Sequence, residues 1–549
     1  MHLPFAGNRT DEPIDTVLDA TRLCNDHSLC TMEIQSLLLW LSACCKKGGR
    51  DGDHETGTKG GNMTSNETRA EETDVVIVGA GGAGIAAALS VVENGGRAVV
   101  LEKQSYAGGT TNFVEGIYAV DSDMQRKRNV KATRDEGFKQ LMEYSHWKAN
   151  ASLVRSIVNK SGETVAWLEK MGVAFVEPTA DFLGGPRVWH LFKGFGKDMM
   201  QVLVAKAEAK GVTIHYDTRA TKVLRDGTGP VTGIIAIDKE GVETYTQAAA
   251  VIIASGGYAD NPAWIKKYTG FDLEIDLFAV IKSDKTGEGI EMAWSTGAAE
   301  EGTGVLLFNI GMPPRTIGPV DHMLGAVGQP TLWVNRDGVR FCDEGIIQNM
   351  IHTGNAMARQ PGRYCYRIFD EETKRQWETN GGLNVGNYSP PGLQLTDLDK
   401  KIATAIEKKS PYVFAFGSIV ELAERIDIDR TALSRTIDNY NAFCDKGHDD
   451  EFGKDPEFLR PVRSPKFYAI KCYPDFLCTL GGIKIDEKME VLDKNSYPIR
   501  GLYAVGCDAG GIYGDSYDLI ASGIGSSFAL NSGRIAGENA VRYVKASHG

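Results

Sequence analysis

The chain has 549 residues, 42% of them apolar, enough for a large buried core, and it carries a formal net charge of −12. So acidic a chain excludes nucleic acid and anionic membrane as principal partners. Ten cysteines without a CxxC pair, and ten histidines without HExxH spacing, exclude an iron–sulfur ligand run, a zinc ribbon, a CxxC redox centre and a protein-bound metal.

The first 62 residues differ in composition from everything after them. The apolar run Leu37–Ala43 is too short to cross a bilayer, so no membrane span is expected. Leu41-Ser42-Ala43-Cys44 is similar to a bacterial lipoprotein cleavage site, but Glu33 rather than a basic segment leads into it. Residues 46–62 are rich in Gly, Thr and charge, the composition of a disordered segment. Lys59-Gly60-Gly61-Asn62 can be encoded by a purine-rich ribosome-binding sequence just before Met63. We therefore expect translation to start at Met63, the alternative being a disordered tail from Met1. The scattered thiols then read as reduced and mostly buried, in a cytoplasmic protein.

Asp74-Val75-Val76-Ile77-Val78 is a β-branched run of the kind that forms a buried parallel strand. It enters Gly79-Ala80-Gly81-Gly82-Ala83-Gly84, then a helical stretch from Ile85 to Leu89, then a second strand, Ala98–Leu101, ending at Glu102. In a dinucleotide turn each part has a task. Gly79 permits the tight turn, Gly81 lets the backbone approach a pyrophosphate, and Gly84 lets helix and strand pack closely. Gly82 and Ala83 open the helix whose N–H groups and dipole favour phosphate. Glu102 can accept hydrogen bonds from a ribose diol. Strand, turn, helix, strand and acid occur in the required order, so a nucleotide site is expected here.

The sequence continues Lys103-Gln104-Ser105-Tyr106-Ala107-Gly108-Gly109-Thr110-Thr111-Asn112. This stretch resembles the superfamily of fumarate reductase and succinate dehydrogenase flavoprotein subunits and ketosteroid dehydrogenases. Three later segments carry the same resemblance: Val251–Gly257, Thr286–Gly289, and Gly501–Asp508 with Ser522-Gly523-Ile524-Gly525. The resemblance implies FAD, held non-covalently. Lys103, Gly109, Thr110, Thr111, Gly256 and Gly257 would contact it along its length, with Asp508, Ser522, Gly523 and Ile524 at the isoalloxazine end. There the N-terminus of a last helix, running to Arg542, would stabilise reduced flavin. With one dinucleotide motif and no CxxCH haem site, electrons would be exchanged with an external donor or acceptor, NADH or a redox protein.

The implied fold class is α/β: a doubly wound Rossmann-like FAD-binding domain (63–305 and 471–549) with an inserted α+β capping domain (306–470). The Pro-rich connector Arg460–Pro465 suggests the second boundary. Ser418–Asp429 is expected to be a cap helix, with Ser418 and Glu421 at capping-box spacing. The basic run Arg126-Lys127-Arg128 reads as a solvated face rather than a docking site for a redox partner.

Fumarate-type reductases need cations or histidine on both substrate carboxylates and an arginine as proton donor. The cap motif is recognisable as Val334–Glu344, but four residues beyond Glu344 stands Gln348, and an amide cannot act as a general acid. The family's substrate histidine corresponds to Cys478, and its arginine near the C-terminal turn to Tyr517. A dicarboxylate would lose its counter-charges. Tyr517, in Gly514-Asp515-Ser516-Tyr517, is similar to the ketosteroid dehydrogenase tyrosine that hydrogen-bonds a substrate carbonyl. The segment Glu143–Asn150 is similar to soluble anaerobic relatives that reduce neutral polycyclic or phenolic compounds.

The expected activity is hydride transfer between flavin N5 and a carbon–carbon bond of a neutral enone-like, steroid-like or phenolic small molecule. The catalytic candidates are Tyr517, Gln348, Arg340 and Tyr118, with Trp189, His190, Tyr513 and Asp515 secondary. Three readings compete with it: a reductase of an unsaturated acid using a relocated Arg340 or Arg315, a flavin electron carrier or redox sensor, and an oxidase releasing peroxide.

Overall fold

The structure is a computed structural model describing residues 69–176, 178–179, 185–312, 324–382 and 394–547. The N-terminal extension, Met63 and Arg315 lie outside the described residues.

The first part of the chain contributes β1 (Arg69–Val78), α1 (Gly82–Glu93), β2 (Ala98–Leu101), β3 (Gly116–Tyr118), α2 (Arg134–Tyr144), β4 (Trp189–Leu191), β5 (Thr213–His215) and β6 (Glu243–Ile253). Leaving it, β7 (Leu306–Phe308) leads into the segment holding β8 (Leu332–Val334), α3 (Met350–Ala358), β9 (Cys365–Asp370), β10 (Val413–Phe416), α4 (Arg430–Lys446) and β11 (Phe467–Cys472). The chain returns through β12 (Asp475–Thr479) to β13 (Pro498–Ala504) and α5 (Ile524–Ser547).

Val75, Val76 and Ile77 of β1 are wholly buried, which is what a strand covered on both faces requires. The main sheet places parallel strands in the order β13–β6–β1–β2–β5. Ile77 lies between Val100 of β2 and Ile252 of β6, and Ile252 in turn opposes Tyr503 of β13. Because α1 carries the chain from β1 to β2 on one side while β6 flanks β1 on the other, a crevice opens at the end of β1. Ligands bind doubly wound sheets at that point. The fold class expected from the sequence is therefore the one observed.

Helix α5 lies directly on α1. A side chain at Gly533 would come within 2.2 Å of the Ala83 carbonyl, and one at Gly537 within 2.6 Å of that of Ala87. Spaced four apart, the two glycines form one bare helix face on which α1 rests. Ser90 Oγ donates to the Arg534 carbonyl at 2.8 Å across the same contact.

The inserted segment is α+β. Its antiparallel sheet runs β8–β9–β11–β10, and Leu433, Ile437 and Tyr440 of α4 pack on it with Ile368 and Ala469. Strand β11 pairs with β9 over six residues, from Cys365 opposite Cys472 to Asp370 opposite Phe467. The Pro461–Pro465 connector leads directly into β11. Asp370 accepts from the backbone N–H of Arg463 and Ser464, both at 2.8 Å, stitching the connector inside the cap. The outgoing and returning strands β7 and β12 pair antiparallel, Leu307 opposite Cys478. The cap helix occupies Ile419–Arg425, with Ser418 Oγ accepting from Glu421 N–H at 3.2 Å. The basic run is paired locally, Arg126 with Asp121 and Asp123, and Arg134 with Asp121. Among the described residues, no helix is long and apolar enough to cross a membrane.

Candidate active site

Glycine at three turn positions has three different causes. Gly79 has φ +103°, and a Cβ there would meet the Ala254 carbonyl at 2.4 Å. At Gly84 it would stand 1.9 Å from the Gly79 carbonyl. Gly81 has an ordinary conformation, φ −71°, and a Cβ would meet nothing within 4 Å, because the residue faces open space at the start of α1. That helix has no acidic residue in its first turn and no side-chain cap, so its positive end is offered to an anion. Thr111 Oγ1 accepts from Gly82 N–H at 3.1 Å, bringing the Gly109–Phe113 turn against the helix start.

The space beside Gly81 continues into a cavity that runs past Glu102 and Lys103 to Lys285 and Cys507. Glu102 accepts from Ala80 N–H at 2.7 Å and Gln104 N–H at 2.8 Å, and burial pushes its carboxyl up from the usual range. Lys103 is ion-paired with Glu288 at 3.0 Å and Asp284 at 3.2 Å. Thr110 Oγ1 accepts from the buried Lys285 ammonium at 3.1 Å. A bare glycine at a helix N-terminus, a carboxylate at the next strand end and a long connected cavity fit a dinucleotide with its diphosphate at Gly81.

The turn after β6 is built from the other end of the chain. Asp508 is fully buried and accepts from Ser255 Oγ (3.0 Å), Gly256 N–H (3.0 Å) and Gly257 N–H (2.9 Å). Its oxygens are used within the protein, so it positions the turn rather than reaching into the cavity. Gly256 lines the cavity, whereas Gly257 packs on Thr479, whose hydroxyl a Cβ would meet at 2.4 Å.

The start of α5 is held by β3. Tyr118 N–H donates to the Gly523 carbonyl at 3.1 Å, and a side chain at Gly523 would collide with that nitrogen. Ser522 Oγ donates to the Leu519 carbonyl at 2.8 Å, and Ile524, the first residue of α5, is buried. Tyr517 Oη accepts from Gly525 N–H, in the first turn of α5, at 3.1 Å. Its ring stacks on Tyr513 with centroids 5.5 Å apart. Next to it Asp518 is buried, accepts from Gln140 Nε2 at 3.2 Å and Ile520 N–H at 2.8 Å, and is pushed up to about 6 by burial. Burial pushes the phenol of Tyr144, at the end of α2, up from its usual range, against the neighbouring Ser516 and Asn349. Asn349 in turn caps α3 of the inserted domain through Ile351 N–H and His352 N–H. The loop carrying Tyr517 and the cap therefore meet at Tyr144.

Other candidates lie elsewhere. Arg340 is buried, bonded to both oxygens of Glu344 (2.9 Å each) and of Asp449 (3.0 and 2.9 Å), and reaches Glu451 at 3.2 Å. Lys454 joins this cluster 3.2 Å from Glu344. Against burial, the Arg340 guanidinium and the backbone N–H groups of Glu451 and Lys454 hold Asp449 well below the usual carboxylate range. A guanidinium so committed has no fork left for a substrate carboxylate. Tyr118 is wholly buried, its hydroxyl facing Gly137 and without a hydrogen-bond partner among the described residues. His190 is buried between Ser122 Oγ (2.8 Å) and the Val188 carbonyl (3.1 Å), and burial lowers it to about 4, so it is neutral. Trp189 packs against Gly116 and Gly523, and Asp515 forms a surface ion pair with Lys148. Gln348 is exposed, one residue before Asn349. Asn349 and Asp518 were missed by sequence reasoning. An Asn before a helical stretch is a cap signal that could have marked the first; nothing local marks the second.

Comparison with known proteins agrees with this geometry. Residues 74–524 match the family described as "FAD binding domain". The chain is 34% identical over 479 residues to vinyl phenol reductase of Lactiplantibacillus plantarum, covering 86% of this chain and 96% of that protein. It is 28% identical over 484 residues to a cytochrome-type fumarate reductase of Shewanella frigidimarina, covering 86% and 78%. The fold superposes on 3-ketosteroid Δ1-dehydrogenase from Sterolibacterium denitrificans with a TM-score of 0.72 at 17% identity, covering 86% of this chain and 100% of that one. With the nucleotide turn, the crevice and the closing helix in place, the chain belongs to the FAD binding domain family and is an FAD-dependent oxidoreductase.

Proposed function

We propose that the protein reduces a carbon–carbon double bond conjugated to a neutral phenolic ring, using electrons from NADH or a redox protein. The observation that carries this reading is Tyr517. Its phenol is held by the first-turn N–H of α5, and the sequence resemblance aligns it with the arginine of the dicarboxylate reductases. Support comes from the 34% identity to a protein named for its action on vinyl phenol. FAD, bound non-covalently, supplies the hydride. The Gly81 opening and the N-terminus of α1 hold its diphosphate, and Glu102 is placed for a ribose diol. Tyr517 donates the proton to the substrate carbon, and Gly525 N–H together with the positive end of α5 stabilises the phenolate left behind. Tyr513 and the Tyr144–Asn349 contact exclude water from that exchange.

The test is anaerobic: dithionite-reduced enzyme is mixed in turn with 4-vinylphenol, a cinnamate, fumarate and a steroid enone. Rapid return of oxidised flavin absorbance with 4-vinylphenol is expected; return with fumarate alone would overturn the proposal. Acid precipitation should release the yellow cofactor into the supernatant, whereas flavin retained in the pellet would contradict a non-covalent site.

A further inference from the structure

Lys285 is 4% exposed and lines the cavity that fits FAD. Its backbone is clamped by Asp260, whose carboxylate accepts from Lys285 N–H at 2.9 Å and from Ser283 N–H at 3.1 Å. The aliphatic stem lies over the turn after β6, where a Cβ at Gly256 would meet its Cγ and Cδ, each at 3.7 Å. From there the ammonium reaches Thr110 Oγ1 at 3.1 Å and the Leu477 carbonyl at 3.4 Å. Both acceptors are neutral, and no carboxylate among the described residues stands within 4.0 Å of it. A buried cation without an opposed charge is costly unless a ligand supplies one.

The other cations on the cavity wall are otherwise engaged. Lys103 is held between Glu288 and Asp284, and Arg219, on the strand after β5, is exposed. Glu102 and Glu288 add negative charge to the same wall. A diphosphate brings about two negative charges, of which the N-terminus of α1 offsets about half of one. The Lys285 ammonium adjoins that helix start through the threonine turn: Thr110, which it bonds, precedes Thr111, whose hydroxyl accepts from Gly82 N–H at 3.1 Å.

We infer that the Lys285 ammonium is the counter-charge of the FAD diphosphate, donating to a phosphate oxygen when the cofactor is bound. The inference rests on the diphosphate lying at Gly81. It gives Lys285 a signature that a packing role would not have. Removing the charge weakens cofactor binding without weakening the empty protein, which is relieved of an uncompensated buried cation.

Lys285→Met keeps the stem over Gly256 and removes the charge. When the apoprotein is titrated with FAD and followed by flavin fluorescence, Kd should rise roughly 10–100-fold, the range for loss of a charge-assisted hydrogen bond. The urea midpoint of the variant apoprotein should be no lower than that of the parent. The midpoint potential of the bound flavin should stay that of the parent, because oxidised and reduced FAD carry the same diphosphate. Parent-like affinity, a destabilised or unfolded apoprotein, or a lowered potential would each overturn the proposal, the last by placing the cation at the flavin ring. Gly81→Val separates this inference from the one beneath it. FAD retained there removes the diphosphate placement, whereas FAD lost there with parent-like affinity in Lys285→Met removes the role of Lys285 alone.

Discussion

At the scale of single residues, glycine substitutions separate cofactor binding from folding. At Gly81 the backbone is ordinary and the space empty, so Gly81→Val should leave the unfolding midpoint of the apoprotein close to that of the parent while abolishing FAD retention. Gly84→Ala drives a methyl into a backbone carbonyl and should prevent accumulation of folded protein altogether. Absorbance at 450 nm and circular dichroism on both variants check this, and a fully flavinated Gly81→Val would contradict the phosphate assignment. Tyr517→Phe removes one oxygen and keeps the ring stacked on Tyr513. Turnover should fall by roughly 10²–10⁴-fold, the range for loss of a general acid, with FAD absorbance unchanged. Unaltered turnover would end its role.

Asp518 yields a pH prediction. Its folded pKa of about 6 lies above the ordinary aspartate value of about 3.9, so the folded state holds a proton that the unfolded chain releases. Stability is therefore uncompromised below the unfolded value, falls as pH rises to about 6, and is constant above, with a total loss of at most about 3 kcal/mol. Asp518→Asn should gain stability over the parent between pH 4.5 and 7.5 in urea unfolding. A pH-independent difference would contradict the assignment.

At the scale of elements, the Arg340–Glu344–Asp449–Lys454 cluster joins the turn after β8 to the loop after α4. Removing one member leaves buried charge uncompensated, so Arg340→Met should cost about 3–5 kcal/mol in urea unfolding. A raised KM with stability intact would return Arg340 to the substrate site. The sequence marked this arginine because it cannot show that Asp449, more than a hundred positions later, claims it. Elements whose cause is local were legible. The run Val75–Val78, the glycine turn and the Ala98–Leu101 strand fall where a β-branched run and a dinucleotide spacing put them. So does the Ser418 cap, which depends on a residue three positions away. Proline marks a break in regular structure without saying of what kind, and the pairing with β9 that begins at Phe467, just beyond the connector, has no local signal. Asp508 reads locally as a cofactor ligand, yet its partners are on β6's turn some 250 positions earlier.

At the scale of the whole molecule, chain segments on either side of the β8–β11 segment build the main sheet, and both line the cavity proposed to hold FAD. Binding to the folded form alone should raise its stability by about 2.7 kcal/mol at a hundredfold excess over Kd. Thermal unfolding of apo and reconstituted protein measures this, and identical midpoints would contradict a site shared by both segments. The glycine face of α5 against α1 has a further consequence for biosynthesis. A ribosome releases the phosphate turn early, but β13, the Asp508 that sets the Gly256 turn, and the helix that covers α1 emerge only after the entire cap. Nascent chains must wait in an unloaded state, their first sheet lacking an edge and α1 bare along the side where Gly533 and Gly537 will rest. Flavin capture is then the closing event of synthesis, and any chain cut short within its last fifty residues should be colourless.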